Sequence, residues 1–125
     1  MSGLTSALLV ALGGAAGALL RSGADTLTAR LGIAAPIGTL VVNAVGSFGA
    51  GLVATLIVDR LLPDAARPLV VVGLLGGFTT FSAFTLQLAH MGEGGELLAL
   101  ISYAVGSILL GLLAASAGVA LARAL

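Results

Sequence analysis

The chain has 125 residues, of which 59% are hydrophobic and 8% are charged, and its mean hydropathy is +1.23. This composition excludes a water-soluble globular domain, in which about 25% of residues are charged, and it indicates a membrane protein. Formal net charge is zero and cysteine is absent, so no disulfide framework or thiolate site is predicted. We expect lipid around the chain and no nucleic-acid partner.

Four long intervals contain no acidic or basic residue other than one histidine, namely 1–20, 31–58, 68–92 and 97–122. Each can hold the roughly 20 apolar residues of a spanning helix. They predict helices at about residues 4–20, 37–58, 69–90 and 97–122. The first interval lacks the basic start of a cleaved signal, so it is interpreted as a permanent helix. The predicted fold is an all-α, multi-pass protein of the cell membrane with a single four-helix transmembrane domain over residues 1–125.

The arginines determine the orientation of the chain in the membrane only weakly. Four spans put Arg60, Arg67 and Arg123 on one side of the membrane, and Arg21 and Arg30 on the other. An excess of one basic residue barely orients a chain, so two copies could insert oppositely and meet as an antiparallel pair. Alternatively, Arg21 lies in a cavity and does not count, which leaves a clear bias to one orientation.

The first helix carries small residues at helical spacing, Gly13, Gly14, Gly17 and Ala18. In lipid, such small-xxx-small pairs let helix backbones approach closely. The same glycines superficially resemble a nucleotide-binding loop, but no P-loop lysine follows them. Close packing is therefore the favoured interpretation.

Arg21 is expected to end the first helix, with Asp25 and Arg30 in the loop that follows. Asp25 and Arg30 are interpreted as solvated loop charges. Arg21 is either a third such charge or a cation at the mouth of a pore, where it would raise the local concentration of anions.

On the second helix, Thr39, Asn43, Gly46 and Ala50 share one face. An asparagine near the middle of a span is costly to bury unless it is paired. Asn43 could therefore form an interhelical hydrogen bond that fixes packing, or it could offer its amide N–H groups to a permeating anion.

The third span contains the sequence Gly76-Gly77-Phe78-Thr79-Thr80-Phe81-Ser82-Ala83-Phe84-Thr85. A glycine pair followed by two β-branched residues weakens a helix, so a break is predicted here. In hydrocarbon, a break is tolerated only where it is buried in protein or lines a polar cavity. Phenylalanines and hydroxyl residues both recur every third position, which favours a pathway for a small polar species.

Two further groups of residues could carry chemistry. His90, Glu93 and Glu96 lie in a glycine-rich surface turn with no second histidine, so no metal site is predicted there. On the fourth helix, Tyr103 and Ser107 share a face. Tyr103 either anchors the packing through its hydroxyl or, with Ser107, faces the polar residues of the other helices.

The glycines of the first helix with Arg21, the segment Gly38–Asn43 and the segment Gly76–Ser82 together resemble the Fluc (CrcB-type) fluoride channels of microbes. The resemblance covers essentially the whole chain, and its third-helix motif is highly specific. It implies an antiparallel, dual-topology homodimer with two fluoride pores, a structural sodium ion at the dimer centre, and export of fluoride from the cell.

The resemblance also implies roles for individual residues. Gly76 and Thr79 match positions whose backbone carbonyls hold sodium, and Arg21 matches a vestibule arginine. The matched pore positions are Asn43, Phe81, Phe84, Ser82, Thr85, Tyr103 and Ser107, to which we add Thr39 from the face of Asn43. Two residues depart from the family pattern. Ala83 replaces a small hydroxyl residue, and Ser22 follows Arg21 where an aromatic residue is common.

The residues themselves suit a passive anion pathway. Hydroxyl and amide groups can donate hydrogen bonds in place of water, the edges of aromatic rings are electropositive, and no Asp, Glu, Lys or His lies deep in a span to relay protons. The missing glutamate in the first helix argues against a small multidrug-resistance transporter of similar size. A structural membrane adaptor is the other alternative, although it leaves Asn43 and the phenylalanine stripe without a common purpose. An enzyme is not predicted.

Overall fold

A computed structural model describes residues 1–125 and is all-α. Four helical stretches are long and apolar enough to cross a membrane. They are α1 (Gly3–Arg30), α2 (Ala35–Val58), a third span that covers Arg67–Glu93, and the last helix, α5 (Leu97–Ala124). The third span is broken. It consists of a π-helical segment, Arg67–Leu75, followed by α3 (Gly76–Phe78) and α4 (Ser82–Glu93).

The first helix is longer than the sequence predicted. The Ser2 hydroxyl accepts a hydrogen bond from the Thr5 N–H at the start of α1, and the helix continues past residue 20 to Arg30. Gly32 then ends it with a positive φ of 69°, a conformation that glycine adopts without strain. The prediction that Arg21 ends the helix was therefore wrong. Charged residues mark where a helix leaves the hydrocarbon, and the helix can continue into the polar region.

Two helix contacts are close because glycines face the neighbouring backbone. On α1, a Cβ atom at Gly13 or Gly17 would collide with carbonyl oxygens of the π-helical segment, so the predicted close packing of this glycine face is confirmed. Gly51 and Gly118 likewise face the neighbouring backbone where α2 packs on α5. The first half of the third span therefore lies against α1, and α5 lies against α2.

The break in the third span occurs at Thr79–Phe81, just after the glycine pair. Thr79 is extended, with φ of −82° and ψ of 159°. Gly76 and Gly77 remain helical, and a Cβ at Gly77 would come within 2.6 Å of the Gly14 carbonyl oxygen. The sequence thus predicted a break correctly, but Gly77 serves the contact with α1, and the break begins at Thr79.

A single copy of the chain buries very little. Only 12 of 125 residues are buried, and the large apolar side chains among them are Val42, Ile57 and Phe84. Leucines along α1 and α5 are largely exposed, and so is Phe81, at 76%. Such a surface is stable only against lipid or against another protein surface.

Candidate functional site

The break is held to α2 by Asn43. Its Nδ2 donates to the Thr80 carbonyl oxygen at 2.9 Å, and its Oδ1 accepts from the Thr80 N–H at 2.8 Å. The predicted interhelical hydrogen bond of Asn43 is thereby confirmed. Because an amide nitrogen carries two N–H groups, one of them is left for another acceptor.

Thr80 also starts the second half of the broken helix. Its hydroxyl oxygen accepts from the Ala83 N–H at 3.1 Å and lies 3.3 Å from the Ser82 hydroxyl. The residue at the N-cap position, Phe81, has no side-chain hydrogen bond. Thr80 therefore supplies the polar contact that an N-cap residue usually makes at the first turn of a helix.

The carbonyl oxygens at the break fall into two groups. Arg21 Nε donates to the Gly77 carbonyl at 3.2 Å, and the Thr79 N–H and hydroxyl both donate to the Leu75 carbonyl. The carbonyl oxygens of Gly76, Phe78 and Thr79 receive none of the hydrogen bonds around the break. In hydrocarbon, free carbonyl oxygens require a partner.

A groove of about 350 Å³ opens on the outer surface of the chain between α2 and the break. The groove brings together four of the predicted pore and sodium-site residues: Asn43, Gly76, Thr79 and Phe81. Gly46, Ser47, Ala50, Val71, Leu75 and Thr80 complete its lining. The free carbonyls of Gly76 and Thr79 and the Asn43 amide thus belong to residues that line the same groove.

A second, more enclosed cavity of about 210 Å³ lies on the other side of Thr80. Among its lining residues are Arg21, Asp25, Thr39, Ala83 and Gln87. Arg21 therefore lies at a cavity and not in a loop. This is the alternative in which Arg21 is left out of the count of basic residues on the two sides of the membrane. Ala83 gives this wall no hydrogen-bonding side chain.

A row of hydrogen bonds joins three spans beside this cavity. Tyr103 on α5 donates to Gln87 Oε1 at 2.6 Å, and Gln87 Nε2 donates to the Thr39 hydroxyl at 2.9 Å. Thr39 is buried, with 5% of its surface exposed. Gln87 was not among the residues predicted from the sequence, although it is the only glutamine or asparagine in the third span.

Three aromatic rings continue from the groove into the bundle. The Phe81 and Phe84 ring centroids are 5.9 Å apart, and the Phe84 ring meets Tyr103 edge to face at 5.1 Å. Phe78 lies before the break, close to Gly46. The predicted stripe of three phenylalanines is therefore wrong, because the break separates Phe78 from the other two.

The remaining predicted hydroxyl residues line neither cavity of the single chain. The Thr85 hydroxyl donates back to the carbonyls of Phe81 and Ser82, both at 3.1 Å. The Ser107 oxygen is buried and has no hydrogen-bond partner. A buried hydroxyl without a partner is uncommon and leaves a donor available to a ligand.

Comparison with known proteins finds relatives that match nearly the whole chain. The family model described as CrcB-like protein, Camphor Resistance (CrcB), matches residues 8–119. A protein of Thermus thermophilus, named fluoride-specific ion channel FluC, is 46% identical over 124 residues, or 98% of each chain. A protein of the same name from Rhizobium leguminosarum bv. trifolii is 48% identical over 98% of this chain and 99% of the relative. Another, from Paracoccus denitrificans, is 44% identical over 94% of each chain.

The fold and site define a multi-pass protein of the cell membrane in which neutral side chains of three spans, Thr39, Gln87 and Tyr103, are joined by hydrogen bonds. The chain belongs to the CrcB family. Relatives in this family are named as ion channels and not as enzymes.

Proposed function

We propose that the chain is a passive, fluoride-specific ion channel that exports fluoride across the cell membrane and so lowers cytoplasmic fluoride. The observation that carries this proposal is the row of neutral hydrogen-bonding side chains, Thr39, Gln87 and Tyr103, inside an otherwise apolar bundle. The fluoride channels at 44–48% identity support the identity of the ion.

Neutral donors suit fluoride for a physical reason. Fluoride is small and strongly hydrated, so a narrow pore must replace its water with hydrogen-bond donors. The free N–H of Asn43 and the unpartnered Ser107 hydroxyl are such donors. Neither is a fixed cation, so they can release the ion again, and conduction requires release.

The proposed pore combines these donors with aromatic edges. Phe81, Phe84 and Tyr103 form a row of neighbouring rings, and the edges of aromatic rings are electropositive. Arg21, beside the second cavity, would attract anions from the vestibule. The proposed pore residues are Asn43, Phe81, Phe84, Ser82, Thr85, Tyr103, Ser107 and Thr39.

We propose further that two copies form an antiparallel homodimer in the lipid bilayer. The groove and the 76% exposed Phe81 lie on the outside of the single chain, so a second copy could cover them and enclose the pore. The charge balance gives little support, because Arg21 lies at a cavity. The antiparallel arrangement therefore rests on the family resemblance.

A sodium ion at the centre of that dimer would be held by the carbonyl oxygens of Gly76 and Thr79. The fit is chemical. Both carbonyls lack hydrogen-bond donors, both residues line the groove, and hard cations prefer oxygen ligands. A two-fold axis would supply the same two carbonyls again from the second copy. The cation would add a positive field that favours anions nearby.

Transport by this pore needs no energy source beyond the membrane potential. A cell interior negative by 100 mV drives a monovalent anion outward by about 2.3 kcal/mol. The hydrogen bonds that join Thr39, Gln87 and Tyr103 include no carboxylate, lysine or histidine that would couple transport to protons.

The experiment that tests the function is flux from liposomes. Purified protein is reconstituted into vesicles loaded with potassium fluoride or potassium chloride, and efflux is followed with ion-selective electrodes after valinomycin is added. We expect rapid release of fluoride and retention of chloride. Equal release of both anions, or release of neither, would contradict the proposal.

A further inference from the structure

Arg21 makes a contact that an anion-attracting residue at a vestibule does not need. Its Nε–H points to the backbone carbonyl of Gly77, a residue 56 positions away, and the contact is partly buried. Gly77 is the second residue of α3, the short helix that ends at the break. The carbonyls at a helix C-terminus carry partial negative charge and favour a cation. Arg21 thus caps the last turn of the first half-helix.

The break is consequently fixed from two sides. Arg21 reaches it from α1 and occupies the Gly77 carbonyl, while Asn43 reaches it from α2 and occupies the Thr80 carbonyl. The carbonyls of Gly76, Phe78 and Thr79 receive no donor, and those of Gly76 and Thr79 belong to the residues immediately before these two. The side-chain donors therefore reduce the number of free carbonyl oxygens at the break and fix the backbone beside those that remain.

We propose that Arg21 is a positioning residue for the helix break, in which its Nε–H fixes the Gly77 carbonyl and so keeps the Gly76 and Thr79 carbonyls in place for a cation. This rests on the proposed channel function for its purpose, but the hydrogen bond can be tested without any ion flux. It assigns Arg21 a contact-dependent role in addition to its charge.

The two roles of Arg21 can be separated by chemistry. Glutamine places an amide N–H donor at Nε2, the same number of bonds from Cα as the Nε of arginine, but carries no charge. Methionine has similar length and offers neither donor nor charge. Arg21→Gln therefore keeps a neutral form of the cap, and Arg21→Met removes it. Arg30→Gln is the matched control, because Arg30 is an exposed residue at the end of the same helix.

The test is amide hydrogen exchange in nanodiscs at a fixed sodium concentration, read at Thr79 and Thr80. Both amides are hydrogen-bonded at the break, to the Leu75 carbonyl and to Asn43 Oδ1. A hydrogen bond to a charged group contributes enough to change an opening equilibrium by roughly tenfold to a hundredfold. We expect Arg21→Met to exchange faster by that factor, Arg21→Gln to lie between it and the unsubstituted protein, and Arg30→Gln to match the unsubstituted protein.

Fluoride efflux measured on the same samples separates this inference from the proposed function. If Arg21 acts only through its charge, Arg21→Gln and Arg21→Met will lose flux equally and leave the exchange of Thr79 and Thr80 unchanged, which would overturn the inference. If the unsubstituted protein passes no fluoride while Arg21→Met still speeds exchange, the proposed function fails and the positioning role stands.

Discussion

Asn43 and Thr80 exchange two hydrogen bonds, one in each direction, between the middle of α2 and the break in the third span. This pairing satisfies two backbone groups of Thr80 that the interrupted helix cannot satisfy itself. The second N–H of Asn43 is available in the groove lined by Gly76, Thr79 and Phe81. The packing and anion-binding interpretations of Asn43 are therefore compatible, because one amide can serve both.

Replacement of Asn43 by aspartate should abolish fluoride passage. The ionised carboxylate cannot donate to the Thr80 carbonyl, and it puts a negative charge in the proposed path of an anion. We also expect a loss of roughly 1–3 kcal/mol of stability, because the Thr80 carbonyl is left unsatisfied. Efflux and denaturant unfolding measure the two effects. Unchanged flux in this variant would limit Asn43 to packing.

Phe81→Ile should slow fluoride efflux without affecting assembly. The ring pair with Phe84 is lost along with the aromatic edge, and aromatic pairs contribute about 0.5–1.5 kcal/mol, which corresponds to roughly a 2- to 13-fold change in rate. Phe81 is 76% exposed on the single chain, so its replacement leaves no cavity in the core. Leu86→Ile is the control, at an exposed position of α4. Efflux equal to that of the control would remove Phe81 from the pore.

Gln87→Met should both destabilise the protein and reduce efflux. Methionine fills a similar space but breaks both hydrogen bonds, which leaves the buried Thr39 hydroxyl and the Tyr103 hydroxyl without partners. The expected cost is about 1–3 kcal/mol of unfolding free energy. Leu86→Met is the control, because it introduces methionine at the neighbouring position, which is exposed. If the two variants have the same stability and the same efflux, the row of hydrogen bonds through Gln87 contributes to neither.

Gly17→Ala should weaken the packing of α1 on the third span. The added methyl group would meet the Leu74 carbonyl oxygen and the Phe78 backbone nitrogen, neither of which can move freely. Overpacking of this kind costs about 1–3 kcal/mol. Gly23→Ala is the matched control, because nothing lies within 4 Å of its added atom. In a titration with sodium dodecyl sulfate followed by circular dichroism, we expect Gly17→Ala to unfold at a lower detergent concentration than Gly23→Ala.

Removal of sodium should destabilise the proposed dimer. A ligand that binds only the folded state stabilises it by about 2.7 kcal/mol at 100 times its dissociation constant. We expect the unfolding temperature to fall when sodium is exchanged for N-methylglucamine at constant ionic strength, and to recover on titration with sodium. A melting temperature that is independent of sodium would argue against a cation at the Gly76 and Thr79 carbonyls.

Sequence patterns located the four spans well but missed where the first helix ends. Hydropathy reports where the chain leaves hydrocarbon, so it placed the end of α1 near Arg21, although the helix continues to Arg30. Low helix propensity predicted a break in the stretch from Gly76 to Thr80, but contact of Gly77 with α1 keeps the glycine pair helical, and the break follows at Thr79. Packing overrode local propensity at that point.

The sequence alone determined that this is an apolar, four-span chain with neutral polar residues in its interior, because the bilayer imposes its length and polarity on every segment that crosses it. Tertiary structure decided which polar groups meet. The role of Gln87 depends on Thr39 and Tyr103, which lie 48 and 16 positions away along the chain. The contacts of Arg21 and Asn43 with the break likewise join distant residues, and helical periodicity within one segment carries no information about its neighbours.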